Sequence, residues 1–197
     1  MRPILVVGCQ RSGSTLLGSL LGGHPQIITI PEAQFFVDCM PDDVEKSQNT
    51  AQLMASIRAH YRFKIWNYSV PDYPQEWANY QRVYEWLVKS YACSRSKNDA
   101  IAWVDHQPGH VKHIGRISKM YPELKVIHII RDGRAVANSI VPLDWGPNSI
   151  NRAAYYYEQR IGLGLAAEQF LGPDHALQIQ YEKLIMQPDL CLKKICE

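Results

Sequence analysis

The chain has 197 residues, 46% of them apolar, and its 21 basic and 19 acidic residues leave a formal charge of only +2. This is enough for one domain with its own core, and the interspersed charges exclude a bulk electrostatic footprint for nucleic acid. Five cysteines, odd in number and without a CxxC pair, argue against a disulfide framework or a zinc site, and no apolar run approaches the roughly 18 residues needed to span a bilayer.

Residues 4–7 are a short β-branched run ending in Gly8, the pattern of a fully buried parallel strand. The octet Gly8-Cys9-Gln10-Arg11-Ser12-Gly13-Ser14-Thr15 follows. Leucines at 16, 17, 20 and 21 then keep helical spacing until Gly22-Gly23-His24-Pro25 stops them. Residues 27–30 read as a second strand, closed by Pro31-Glu32. From 42 to about 96 the pattern is mostly helical and rich in tyrosine and tryptophan, broken by a loop around Pro71 and Pro74. Aromatic packing is the plainer reading of this insert; a substrate-stacking surface is the other.

Residues 101–104 read as a strand ended by Asp105-His106-Gln107-Pro108-Gly109, with a helix predicted over 110–120. Residues 125–130 are the clearest strand in the chain. Arg131-Asp132-Gly133-Arg134 turns at its end, and 135–140 open the next helix. A helix over 151–171, a last strand over 176–180 and a helix from 181 onward, interrupted by Pro188, complete the chain. The repeated strand-turn-helix order predicts an α/β fold of three layers, α/β/α, with a central parallel sheet in one domain over 1–197. Its ligands would bind at the carboxyl ends of the strands.

The octet matches the phosphate-loop pattern GxxxxGK[ST] at Gly8, Gly13 and Thr15, with Ser14 in the lysine position. The glycines let backbone N–H groups converge on an oxyanion, and the helix starting there adds its positive dipole end. Without the lysine, Arg11 is the cation of the loop, which suits a terminal group other than a γ-phosphate. Arg131 and Ser139 form a second candidate anion pocket if the helix after 134 folds back over the strand end. The competing reading makes RDGR a surface turn with Asp132 as a helix cap and solvated arginines.

GCQRSGSTLL, HPQIITIPE, VDHQPGH, KVIHIIRDGRAVANSI and QYEKLIMQP, in that order from residue 4 to the end, together resemble sulfotransferases that use 3′-phosphoadenosine 5′-phosphosulfate (PAPS). The likeness is nearer to the tyrosylprotein and carbohydrate branch than to the cytosolic aryl branch, and it implies a P-loop NTPase-like sheet with a helical insert. It further implies that Arg11, Ser12, Gly13, Ser14 and Thr15 hold the 5′-phosphosulfate while Arg131 and Ser139 hold the 3′-phosphate. Tyr181 would touch the adenine or anchor the last strand. Arg11 would neutralise charge on the departing phosphate, and Glu32 would take the acceptor proton, with Glu45 and Asp38 as competitors. His106 stands where relatives often carry a lysine that assists transfer; histidine is not reliably charged at neutral pH, so a packing role is equally open.

The resemblance implies no metal, and as acceptor a saccharide, a tyrosine peptide or a small alcohol offering a hydroxyl or amine. Relatives continue for tens of residues past Glu197, so a family C-terminal segment is expected to be lacking. A soluble, cytoplasmic protein is expected, or a Golgi-lumen one if the chain is an excised domain. A P-loop kinase for a small metabolite and an inactive nucleotide-binding module are the alternatives.

Overall fold

The computed structural model describes residues 1–196. In chain order the elements are β1 (Arg2–Gly8), α1 (Ser14–Gly22), β2 (Ile27–Ile30), α2 (Phe35–Asp38), β3 (Gln48–Asn49), α3 (Thr50–Ala59), α4 (Tyr61–Ile65), β4 (Trp77–Ala78) and α5 (Tyr80–Ser94). They continue with β5 (Ala102–Asp105), a 3-10 turn (Pro108–His113), α6 (Ile114–Met120), β6 (Lys125–Ile130), α7 (Gly133–Ile140), α8 (Ile150–Leu171), β7 (Ala176–Gln180), α9 (Tyr181–Met186) and α10 (Pro188–Cys196).

Five strands form one sheet in the order β2-β5-β1-β6-β7, parallel throughout. Side chains alternate across it, as the two-residue period of a strand requires. Leu5, Val7, Trp103 and Val126 face the insert helices and α6, where they share a core with Tyr84, Leu87 and Ile117. Val6, Val104, Ile127, Ile129 and Ile179 face the other way, onto Leu17 and Leu21 of α1 and Leu184 of α9. Both faces are therefore covered, which is why these strands read as continuous apolar runs. Among the described residues no helix is long and apolar enough to cross a membrane.

The aromatic residues of the insert are mostly core. Phe36 and Tyr84 lie 4.2 Å apart between ring centroids, Phe35 and Trp66 5.2 Å, and the Tyr80 hydroxyl donates to the Phe36 carbonyl at 2.7 Å. Tyr61 and Trp77 are exceptions and stand exposed.

The sequence reading and the structure differ in detail at three places. Within the mostly helical insert, 42–47 are irregular and β3 pairs antiparallel with β4. The single turn α2 escapes sequence reading because four residues carry no periodicity; it forms because Phe35 and Phe36 are both fully buried. The helix expected over 110–120 is α-helical only from Ile114. Pro108 opens a tighter turn, Gln107 caps it at the Gly109 amide, and the His110 ring is drawn inward to Asp105 at 2.8 Å.

Helix α8 can lie close against β6 because residue 164 has no side chain. A Cβ on Gly164 would fall 2.1 Å from His128 Nε2, whereas one on Gly162 would meet nothing within 4 Å. His128 is itself fixed, its Nδ1 lying 2.5 Å from Glu168 Oε1. Gly164→Ala is expected to cost about 1–3 kcal/mol through overpacking, a fall of roughly 2–12 °C in thermal midpoint. Gly162→Ala should hold or raise the midpoint through helix propensity. Differential scanning calorimetry on the pair checks this; equal midpoints would refute the tight α8–β6 approach.

Candidate active site

The loop between β1 and α1 takes its shape from two close approaches. At Gly8, φ is +145° and a Cβ would sit 2.4 Å from the Ile129 carbonyl oxygen of β6. At Gly13, φ is +95° and a Cβ would sit 2.4 Å from the Tyr181 ring. No other residue type fits either position without displacing a neighbour. Between them Arg11 adopts φ +70°, a left-handed conformation uncommon for a long side chain and one that concentrates at functional sites.

Helix α1 makes its first hydrogen bond from the Leu17 amide to the Gly13 carbonyl, at 3.0 Å. The N–H groups of Gly13, Ser14, Thr15 and Leu16 thus have no acceptor among the described residues at the positive end of the helix. Gly13 precedes the helix without a side-chain cap, so nothing competes for them. The Ser12 hydroxyl is buried and also unpartnered. Cys9 packs at the base of the loop, and burial pushes its thiol up to about 12, which leaves it an inert apolar group.

Three of the anticipated residues meet beside this loop. Arg11 Nε donates to Ser139 Oγ at 3.0 Å, and Arg131 Nη1 donates to the Arg11 carbonyl at 2.9 Å. The Arg131 guanidinium lies 4.5 Å from the Tyr181 ring centroid, and the Tyr157 hydroxyl donates to the Arg131 carbonyl at 2.7 Å. Ser139 thus reaches Arg11 rather than Arg131, and the two expected anion pockets form one continuous cluster. Asp132 does cap α7, accepting from the Arg134 amide at 2.9 Å, while its own N–H is held by Glu182.

The loop opens into a cavity of about 470 Å³. Of the anticipated residues, Arg11, Gly13, Ser14, Thr15, Glu32 and Arg131 line it; Ser12, His106, Ser139 and Tyr181 do not. Glu32 is the only carboxylate lining it among the described residues. Its Oε2 lies 3.2 Å from Arg62 Nη1 and its Oε1 3.9 Å from His106 Nδ1. The His106 ring is wedged against α1, where a Cβ on Gly18 would come within 2.9 Å of it, and its Nδ1 is buried without a hydrogen-bond partner. Asp38 accepts instead from Gln34 and pairs with His60, and Glu45 lies in the exposed segment before β3.

Arg62, Gln34 and Trp145 also line the cavity from outside the motifs of the sequence, together with Tyr61 of the aromatic insert and Gln107 of VDHQPGH. Arg62 arrives because α4 docks through Phe63, 5.3 Å from Phe35 of α2, a contact between segments about thirty residues apart. Gln107 is fixed by its amide on Asp105 Oδ1 and by its side chain on Gln34 Oε1. Three guanidinium groups against one carboxylate make the cavity strongly cationic in a chain of net charge +2, as a ligand with more than one anionic group requires.

The sequence pattern of the sulfotransferase family matches residues 3–197. The chain belongs to that family. A curated sulfotransferase relative, protein-tyrosine sulfotransferase A of Caenorhabditis elegans, is 19% identical over 199 residues. The match takes in 98% of this chain and 48% of the relative, so the chain spans about half of that protein's length.

Two solved sulfotransferase domains share the fold. The domain from the curacin biosynthetic pathway aligns with a TM-score of 0.68 at 20% identity, covering all of this chain and 73% of its own. The domain from the Synechococcus PCC 7002 olefin synthase aligns with 0.65 at 21%, covering 99% and 71%.

The cap that opens α7 gives a test by acid. The Arg134 side chain first, then the Arg134 amide, hold the Asp132 carboxyl down from 3.8 to about 2. A carboxyl depressed in the folded state contributes fully above its ordinary range and loses that contribution as pH falls toward its folded value. The gap in urea midpoint between wild type and Asp132→Ala is expected to be constant above about pH 5 and to shrink toward pH 3. A gap that widens on acidification would contradict the cap.

Proposed function

We propose that the chain transfers a sulfonyl group from PAPS to an acceptor hydroxyl by in-line displacement. The observation that carries this reading is one cavity wall on which Arg11, Arg131 and the unpartnered amides of α1 converge, with Glu32 as the sole carboxylate among the described residues lining it. When bound, the donor supplies a sulfonyl group activated by a 5′-phosphate and a second anion, its 3′-phosphate. The buried, unpartnered Ser12 hydroxyl and the free amides are donors that an oxyanion would satisfy, which supports the fit.

In this reading Ser14 in place of a lysine leaves the sulfonyl side of the loop free of a fixed cation. Arg11 neutralises charge growing on the departing phosphate oxygen, from a backbone position already set by its left-handed conformation. Arg131, stacked on Tyr181, and Ser139 hold the 3′-phosphate. Glu32 accepts the proton of the attacking hydroxyl. Arg62 keeps that carboxylate in place, and His106, fixed against α1, stands behind it as a positioning group.

The nucleotide half is tested by thermal shift. Adenosine 3′,5′-bisphosphate is expected to raise the midpoint more than ATP with Mg²⁺ does, since ligand that binds only the folded state stabilises it in proportion to its affinity. Arg131→Ala should weaken bisphosphate binding about 10- to 150-fold, the equivalent of about 1.5–3 kcal/mol for a hydrogen bond to a charged group. Preference for ATP with Mg²⁺ would overturn the proposal in favour of a kinase.

The chemical half is tested at Glu32. Glu32→Gln keeps the shape and removes the base, so bisphosphate affinity should hold while turnover with any accepted alcohol falls by roughly two or more orders of magnitude. Undiminished turnover would remove Glu32 from the mechanism.

A further inference from the structure

A second cavity, of about 780 Å³, lies between the end of α2, the irregular segment 39–47 and the first half of α3. Trp77 of β4 stands on its wall, 58% exposed. In the two-residue strand β4, Ala78 is buried and Trp77 turns outward opposite Asn49. Trp66, Trp86 and Trp103 each pack edge-on or tilted against other rings, so the core accounts for them. Trp77 packs against no ring among the described residues, and the fold leaves a large apolar face in water beside a cavity.

Apart from Cys39, Pro41 and Leu53, the rest of the wall is polar and carries no net charge. Ser47, Gln48 and Gln52 line it, and the Gln48 side-chain nitrogen is buried without a partner, a donor that costs stability until an acceptor meets it. The two charged residues, Lys46 and Asp38, balance one another, and the Asp38 carboxylate is already held by Gln34 and His60. Such a wall offers nothing to a polyanion. The edges that β3 and β4 leave open are two residues long, too short to hold an extended peptide by strand pairing.

A sugar ring matches both features: its C–H face covers an indole, and its rim of hydroxyls donates and accepts as amide and serine side chains do. We propose that this cavity is a binding subsite for a neutral sugar ring, the remote part of an extended saccharide whose reacting hydroxyl lies in the loop cavity. The link between the two cavities is α2. Gln34 at its start lines the loop cavity and Asp38 at its end lines the second, one turn and about 6 Å of helical rise apart. The link to an acceptor rests on the sulfonyl-transfer reading; the sugar site does not.

The test follows the Trp77 indole N–H signal in ¹⁵N-labelled protein, assigned by its loss in Trp77→Phe. The probes are chitotriose, cellotriose and a neutral tyrosine hexapeptide, each with and without adenosine 3′,5′-bisphosphate. A neutral trisaccharide is expected to move the signal saturably, and Trp77→Ala to weaken its binding roughly tenfold or more while bisphosphate affinity holds. In turnover, the same variant should raise the trisaccharide KM about tenfold with kcat within about twofold, and leave a short alcohol acceptor unchanged.

A signal moved only by the peptide, or by no probe, overturns the sugar site, as does full trisaccharide affinity in Trp77→Ala. An unchanged KM overturns the link to the acceptor. A trisaccharide that moves Trp77 in a protein that does not bind the bisphosphate keeps the sugar site and defeats the sulfonyl-transfer reading.

Discussion

The close approach of the β1–α1 loop to its neighbours is the constraint from which the rest of the site follows. Gly8 passes beneath the Ile129 carbonyl and Gly13 beneath the Tyr181 ring, so the loop is clamped between β6 and the start of α9. That clamp forces α1 to begin without a side-chain cap, and so leaves four amides facing outward. It also puts the Arg11 carbonyl where Arg131, at the end of β6, can hold it. Two arginines that would repel in isolation are thus fixed side by side, one through its backbone and the other through its side chain. An anion bound between them would offset that repulsion.

Much of this is legible in the chain. The strands over 27–30, 125–130 and 176–180 coincide with β2, β6 and β7: the first two are β-branched runs, and the third alternates apolar Leu177 and Ile179 with glutamines after the Gly172-Pro173 turn. The octet and RDGR are equally legible, since a phosphate loop needs glycines at fixed offsets and an arginine at a strand end is conspicuous. Glu32 is visible as the first carboxylate after the second strand, although its partner Arg62 is not. No local pattern marks an arginine in a five-residue helix; only the docking of Phe63 on Phe35 delivers it. The same limit hides α2 and the β3–β4 pair, elements too short for periodicity and formed by burial alone.

The composition of the insert was ambiguous for a physical reason. Packing and stacking on a ligand both call for rings, and only burial tells them apart. Here the rings divide: Trp66, Tyr80 and Tyr84 build a core with barely any exposed surface, while Tyr61 and Trp77 are more than half exposed and each stands at a cavity. Packing accounts for the inner face of the insert, and its outer face leaves rings exposed at the cavities.

A series of polar contacts runs from the wall of one cavity to the wall of the other. From the fully buried pair Asp105–His110 at the end of β5, hydrogen bonds run through Gln107 to Gln34, and from Gln34 to Asp38 and His60. Every group in that series gains by the alignment of the next, so α2 is held at a fixed height above the sheet. Asp105 cannot give up its two partners without leaving a buried carboxylate exposed to a low dielectric, and this anchors the whole series to the sheet. The same series sets the Glu32 side of the loop cavity and the Asp38 side of the second one, so the spacing between them belongs to the scaffold rather than to any ligand. A ligand long enough to touch both would bind without having to order the protein first, which is where preorganisation adds affinity.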